Sequence, residues 1–130
     1  MAKIKNMKKK STLSENSLDA DPVKQFEKWY GERLKTEITY PDSVTLSTST
    51  SDGHVSARTV LLKDYSDAGF LFFTNFNSKK GKQLSQNPRA AMLFYWPESG
   101  RQVRIEGTVE KVSVEESEAY FKTRPGESQI

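Results

Sequence analysis

Residues 43–63, SVTLSTSTSDGHVSARTVLLK, decide the fold class of this 130-residue chain. Val44 and Leu46 alternate with small polar residues, which is the period of a half-buried β-strand. A turn signal, Ser-Asp-Gly, follows at residues 51–53, and the stretch 55–63 is β-branched and apolar. The segment therefore predicts two antiparallel strands joined as a hairpin.

More strands are predicted on the carboxyl side of this hairpin. An apolar strand over residues 70–74 comes first, and residues 90–96 and 102–111 form a second hairpin. A short helix over residues 79–86 lies between them. Five strands at short spacing, interrupted by helices, predict a mainly β fold: a small antiparallel barrel with peripheral helices.

Two further helices are predicted at the ends of the folded region. Asp21-Pro22 supplies an N-cap and a first-turn proline. Apolar residues follow at helical spacing, namely Val23, Phe26, Trp29, Tyr30 and Leu34. Ser113 begins the last helix, and no strand remains after it. We therefore expect an unclosed sheet, either because the chain stops early or because a second subunit completes it.

The net positive charge of the chain comes from the amino-terminal segment. Residues 1–20 contain five Lys and two acidic residues, which accounts for the whole net charge of +3. Because this segment lacks sustained periodicity, we predict a disordered basic arm over 1–20 and one domain over 21–130. A neutral domain lacks the positive field that attracts a phosphate backbone, so nucleic acid is a weak hypothesis.

The composition excludes several kinds of chemistry. The chain has no Cys and one His, His54, which follows a turn and is assigned no role. We therefore predict no metal site and no catalytic residue of the chain's own. The longest apolar run, residues 90–96, is too short to span a membrane, and the start of the chain does not resemble a signal peptide. A cytoplasmic protein without a membrane partner is predicted.

Two groups of cations could hold a phosphate. Arg58 and Lys63 lie on one predicted strand, but a separation of five places them on opposite faces unless a bulge intervenes. They could equally be two solvated cations. Thr74 to Lys80 runs from a strand end into a helix start, where backbone N–H groups and lysines favour an anion. Lysines in a surface helix are the alternative.

Two other groups could meet a polar aromatic ligand. Gln102, Arg104 and Glu106 share one face of a strand, which is either a binding face or merely a solvated one. Tyr120 and Arg124 share a helix face near Ser128, and the alternative there is an ordinary packing contact. Because these groups offer no acid–base machinery of their own, a cofactor is expected to perform the chemistry.

Six stretches, in order, resemble the pyridoxine/pyridoxamine 5′-phosphate oxidase family from residue 21 onward. They are 21–26 (DPVKQF), 56–63 (SARTVLLK), 72–76 (FFTNF) with 78–82 (SKKGK), 94–96 (FYW), 101–107 (RQVRIEG), and 120–121 (YF) with 124–125 (RP) and 128–130 (SQI). The resemblance implies an FMN-binding split β-barrel of Greek-key type, working as a homodimer with FMN at the subunit interface. Family members continue beyond the SQI segment, so we expect the carboxyl-terminal part of the barrel to be missing.

The resemblance also implies the site residues. The residues that it implies bind FMN are Arg58, Thr59, Val60, Leu61, Lys63, Phe73, Thr74, Lys79, Lys80 and Gln102. The residues that it implies bind the phosphate of the substrate are Lys63, Tyr120, Arg124 and Ser128. Arg58 and Lys63 would then bind different phosphates.

The implied reaction oxidises pyridoxamine or pyridoxine 5′-phosphate to pyridoxal 5′-phosphate, with hydride passing to the flavin and oxygen giving hydrogen peroxide. The chain would thus be a pyridoxal 5′-phosphate synthase of vitamin B6 metabolism. Two alternatives stay open: an FMN-binding split barrel without turnover, because the carboxyl-terminal segment is absent, and a basic-armed barrel that binds nucleic acid.

Overall fold

The computed structural model describes residues 2–4, 18–75, 77–113 and 115. The strands are β1 (Ala2–Ile4), β2 (Ser43–Ser49), β3 (Val55–Ser66), β4 (Gly69–Phe72), β5 (Arg89–Trp96) and β6 (Arg101–Lys111), and the helices are α1 (Pro22–Leu34) and α2 (Lys79–Gln86). A single 3-10 turn, Pro97–Ser99, joins β5 to β6. Neither α1 nor α2 is long and apolar enough to cross a membrane.

Within the described residues the strands form a closed antiparallel barrel in the order β1-β4-β3-β2-β5-β6. Strands β2, β3 and β4 are consecutive neighbours, and β5 then returns to lie beside β2. This return is a Greek-key connection. The predicted fold class, a mainly β antiparallel barrel with peripheral helices, is confirmed.

Strand β1 differs from the predicted disordered arm over residues 1–20. Ala2–Ile4 pairs with β4 on one side and with β6 on the other, so that Lys3 lies opposite Leu71 and Glu110. Without β1, strands β4 and β6 would each present an edge of unpaired N–H and C=O groups. Any segment with an extended backbone can bond such groups, whatever most of its side chains are. Because β1 closes the sheet by pairing with both strands, the expectation of an unclosed sheet within one chain was wrong. Residues 5–17 lie outside the described residues.

The β2–β3 hairpin forms as predicted, with β3 paired along the whole length of β2. β3 continues past its predicted end at Lys63 to Ser66. Its pairing with β4 shifts by one residue between Leu62 and Asp64, so Lys63 lies at a β-bulge. Because β4 pairs with β3 only from Leu62 onward, no described strand pairs with the second edge of residues 55–61. We call this the open edge of β3.

Helix α1 packs an aromatic face into the barrel. Asp21 caps the helix by accepting a hydrogen bond from the Val23 N–H at 2.9 Å, as predicted. Phe26 is fully buried, and its ring centroid lies 5.0 Å from that of Phe70 and 5.0 Å from that of Phe94. These aromatic contacts join α1 to β4 and β5.

The end of α1 differs from the predicted pattern. Leu34, expected on the buried face, is 45% exposed, whereas Arg33 is buried. Arg33 pairs with Glu98 of the 3-10 turn and donates from Nε to the Pro41 carbonyl at 3.3 Å. A buried guanidinium is tolerated because these acceptors replace water. The hydrogen bond from Arg33 lowers the pKa of Glu98 below its ordinary value.

Replacing Phe26 by Ala should destabilise the fold by about 3–5 kcal/mol, because the substitution leaves a cavity among several rings. The matched control is Leu34→Ala on the same helix, which should cost about 1 kcal/mol or less because that side chain is half in solvent. Urea unfolding followed by tryptophan fluorescence measures both. Equal losses would contradict the central position of Phe26.

Replacing Glu98 by Gln should lower the melting temperature by about 2–5 °C at pH 7. The pKa of Glu98 is lower in the folded than in the unfolded chain, where 4.5 is ordinary. Its ion pair therefore stabilises the fold above that value, and the contribution is lost as the pH falls through the folded-state pKa. Melting curves at pH 7 and in acid should show the difference only at pH 7. Glu27→Gln, an exposed change on α1, is the control.

Candidate functional site

Helix α2 is the next element of the chain after strand β4 and begins at Lys79. Ser78 caps it, since its hydroxyl accepts from the Gly81 N–H at 3.1 Å, and the helix spans the predicted residues. The first two helical residues are Lys79, which is exposed, and Lys80, which is half-buried. A helix start with free N–H groups and two lysines favours an anion.

Arg58 of β3 and Lys80 of α2 lie close enough to influence each other. Burial lowers the pKa of Lys80, and the charge of Arg58 lowers it further. Burial also lowers the pKa of Arg58. We call these two residues the cation pair. Two like charges partly removed from water repel each other, and a bound anion would relieve that repulsion.

A hydrogen-bond network holds Arg58 in place. Its Nη1 donates to the Thr48 hydroxyl at 2.7 Å and to the Leu46 carbonyl at 3.1 Å. The Thr48 hydroxyl in turn donates to Gln83 Oε1 at 2.5 Å. Gln83 Nε2 donates to the Ser56 hydroxyl at 3.2 Å. The network thus joins β2, β3 and α2 beneath the cation pair.

Thr74 lies between β4 and α2 and supplies a hydroxyl without a partner. Its side chain is 7% exposed, and its Oγ1 has no hydrogen bond to the described residues. A buried hydroxyl in this condition costs free energy unless a ligand or water bonds it. Its position before α2 in the chain makes it a candidate to bond a ligand that the cation pair attracts.

The other residues assigned to FMN divide between the two faces of the sheet. Thr59 and Leu61 are exposed on the outer face of β3, while Val60 between them is half-buried and packs against the core. Phe73, directly after β4, is 70% exposed. The alternation along β3 therefore offers Arg58 and Val60 on one face and Thr59 and Leu61 on the other.

Gln102 is not brought to the cation pair within one chain. It is exposed on the outer face of β6, opposite Tyr95 of β5, and two strands separate β6 from β3. Nearby on the same face, Arg104 and Glu106 form an ion pair at 3.7 Å. Both side chains are partly exposed, but Arg104 Nε itself is buried without a hydrogen bond to the described residues, so this face is only partly solvated.

Some predicted residues cannot be placed beside the cation pair. Lys63 lies at the bulge of β3 and is half-buried. Tyr120, Arg124 and Ser128, with the helix predicted to carry them, lie outside the described residues. His54 is exposed in the β2–β3 turn, where its Nδ1 lies 3.3 Å from Asp52 Oδ1. The residues that the structure describes hold no group of three potential metal ligands.

Thr48 and Gln83 are the site residues that sequence reasoning missed. Both are polar side chains at positions that the pattern makes inward-facing: Thr48 follows the buried Val44 and Leu46 with period two, and Gln83 lies one turn after Lys80. A polar residue in phase with the buried face of a strand is the signal that was available. The distances that identify its partners depend on tertiary structure.

A cavity of about 340 Å³ lies elsewhere, between α1 and the 3-10 turn. Two ion pairs border it: Arg33 with Glu98, and Arg101 with Glu32. The guanidinium of Arg101 also lies 4.9 Å from the centre of the Trp29 ring. Because each arginine already has a carboxylate partner, this cavity offers no unneutralised charge to a ligand.

Comparison with known proteins gives a consistent result. A family model described as pyridoxamine 5′-phosphate oxidase matches residues 30–130. The pyridoxine/pyridoxamine 5′-phosphate oxidase of Trichormus variabilis is 51% identical over 118 residues, 91% of this chain and 55% of that protein. The Janthinobacterium sp. (strain Marseille) protein of the same name is 47% identical over 130 residues, all of this chain and 62% of that protein.

Solved structures show the same fold. PhzG from Burkholderia lata 383, solved with tetrahydrophenazine-1-carboxylic acid, superposes with a TM-score of 0.73 at 27% identity, covering 84% of this chain and 55% of that one. A pyridoxamine 5′-phosphate oxidase-related, FMN-binding protein from Nostoc punctiforme superposes with a TM-score of 0.62 at 19% identity, covering 79% and 55%. The chain thus spans little more than half the length of the proteins it matches.

Proposed function

Because the chain belongs to the pyridoxamine 5′-phosphate oxidase family, we propose that it binds FMN and takes part in oxidising pyridoxamine or pyridoxine 5′-phosphate to pyridoxal 5′-phosphate. The single observation that carries the proposal is the cation pair: Lys80 lies at the start of α2, and Arg58 of β3 is fixed near it by hydrogen bonds to Thr48 and the Leu46 carbonyl. Phosphate is the anion that such a site favours.

The proposed cofactor site extends from the cation pair along the open edge of β3. The phosphate group would face Arg58, Lys79 and Lys80, and the partnerless hydroxyl of Thr74 would bond the same ligand. The remaining proposed contacts are Thr59, Val60, Leu61, Lys63, Phe73 and Gln102. An unpaired strand edge exposes backbone N–H and C=O groups, which suit the polar rim of a flavin ring.

A homodimer with FMN between subunits is part of the proposal. On the outer face, β2 carries the small side chains of Ser43, Thr45 and Ser47, and β5 carries Ala91 beside Leu93. Leu61, at 44%, and Tyr95, at 61%, are exposed on the same face. Exposed apolar side chains beside small residues favour association. It would allow the partner subunit's Gln102 to reach a flavin that one chain alone cannot offer it.

FMN, when bound, would supply the redox chemistry, and the chain would bind and orient. The substrate carbon loses two electrons, which oxygen accepts to give hydrogen peroxide; with the amine substrate, water enters and ammonia leaves. Lys63 would hold the substrate phosphate, together with Tyr120, Arg124 and Ser128. A cytoplasmic location and the absence of a nucleic-acid partner stay predictions.

Replacing Arg58 or Lys80 by Ala should weaken FMN binding about tenfold or more, because each change removes a charge that faces the phosphate. Lys82→Ala, on the exposed side of the same helix, is the matched control and should have little effect. Titration of flavin fluorescence against the purified chain measures the dissociation constant. Unchanged FMN affinity in both variants would remove the cation pair from the site.

Purified chain should be yellow with releasable FMN, and adding pyridoxamine 5′-phosphate should produce hydrogen peroxide and pyridoxal 5′-phosphate in equal amounts. A peroxidase-coupled assay and the absorbance of the aldehyde measure the two products. Yellow protein without turnover would support the alternative function, FMN binding alone. Colourless protein that does not take up added FMN would contradict both.

A further inference from the structure

The carboxamide of Gln83 is buried beneath the cation pair. The side chain is 4% exposed, on the face of α2 that packs toward β2 and β3. Its oxygen accepts from Thr48 at 2.5 Å, and its nitrogen donates to Ser56 at 3.2 Å. A buried amide bonded at both ends is fixed in position and orientation.

The direction of the hydrogen bonds matters more than their number. A threonine hydroxyl has one proton to donate and two lone pairs to accept with. Because the Thr48 proton goes to Gln83, the lone pairs of Thr48 are left for the Arg58 N–H at 2.7 Å. Gln83 therefore orients the hydroxyl that holds the guanidinium.

The same helix presents Lys80, one turn before Gln83. Residues three apart on a helix are neighbours, so the buried amide and the ammonium stem from adjacent points of α2. The Arg58 guanidinium is fixed by its 2.7 Å bond to the Thr48 hydroxyl, which itself bonds Gln83. Burial, and then the charge of Arg58, lower the pKa of Lys80, so the two cations repel each other. The bonds from Gln83 to β2 and β3, together with the burial of Leu84 in the core, hold α2 in place against that repulsion.

We propose that Gln83 is a positioning residue for the phosphate group of FMN: through Thr48 it aims Arg58, and through its own helix it sets the spacing of Arg58 from Lys80. The proposal rests on the proposed function, since it takes FMN as the ligand. Gln83 itself touches neither the phosphate nor the flavin ring. Its effect should therefore be limited to ligands that carry the phosphate.

The test compares FMN with riboflavin, which lacks the phosphate. Gln83→Met keeps the length of the side chain and removes both hydrogen-bonding groups. This change should weaken FMN binding about tenfold and riboflavin binding less than about twofold. Gln86→Met, the same substitution at an exposed position of α2, is the matched control and should change neither. Flavin fluorescence titration gives both dissociation constants, and melting temperatures report folding.

A second pair of variants keeps the test decisive if Gln83→Met unfolds. Thr48→Ser retains the hydroxyl and should bind FMN normally, whereas Thr48→Val should lose affinity for FMN as Gln83→Met does. Equal loss of FMN and riboflavin affinity would show a merely structural anchor and overturn the proposal, as would unchanged FMN affinity in Gln83→Met or Thr48→Val. A wild-type chain that binds no FMN would overturn the proposed function as well, so the two failures are distinguishable.

Discussion

The buried hydrogen bonds that fix Arg58 near Lys80 are the constraint on which the candidate site depends. Arg58 and Lys80 come from different elements, and each has a pKa lowered by burial. Nothing in the local sequence of β3 or α2 would bring the charges together, since in an unfolded chain they would separate. The fold must therefore supply enough stability to hold them close, and the proposed phosphate ligand would neutralise them.

That stability comes from two sets of contacts, those of α1 and those of α2. On one side, Phe26 of α1 binds β4 and β5 into an aromatic core, which stabilises the barrel without any polar group. On the other side, α2 is joined to β2 and β3 by the buried bonds of Gln83 with Thr48 and Ser56. The aromatic contacts of Phe26 supply free energy of folding, and the hydrogen bonds of Gln83 with Thr48 and Ser56 fix the position of polar side chains. Apolar packing alone would leave the guanidinium of Arg58 free to turn toward solvent.

The sequence predicted the elements well where the signal was local. The turn at 51–53, the cap at Asp21 and the helix start at Ser78 each depend on a few adjacent residues, and each formed as predicted. The sequence failed where the outcome depended on pairing partners. Strand β1 forms because β4 and β6 leave edges to fill, which residues 2–4 alone do not reveal. Leu34 and Arg33 exchanged their expected environments because Glu98 and Pro41 approach from elsewhere.

The site shows the same division. The charges of Arg58 and Lys80 could be read from the sequence, but the side chains that fix Arg58 could not, because its bond with Thr48 and the bond of Thr48 with Gln83 are tertiary contacts. Neighbouring side chains of β3 point to opposite faces of the sheet, yet one ligand is proposed to contact several of them in a row. The pairing of β3 with its neighbouring strands explains how this is possible. Residues 55–61 pair with β2 on one edge only, so a ligand lying across the open edge can reach side chains on both faces of the strand. The consecutive FMN contacts proposed for residues 58–61 are physically reasonable at such an edge. In that proposal the flavin would bridge the inner face, where the charges lie, and the outer face, where a second subunit would pack.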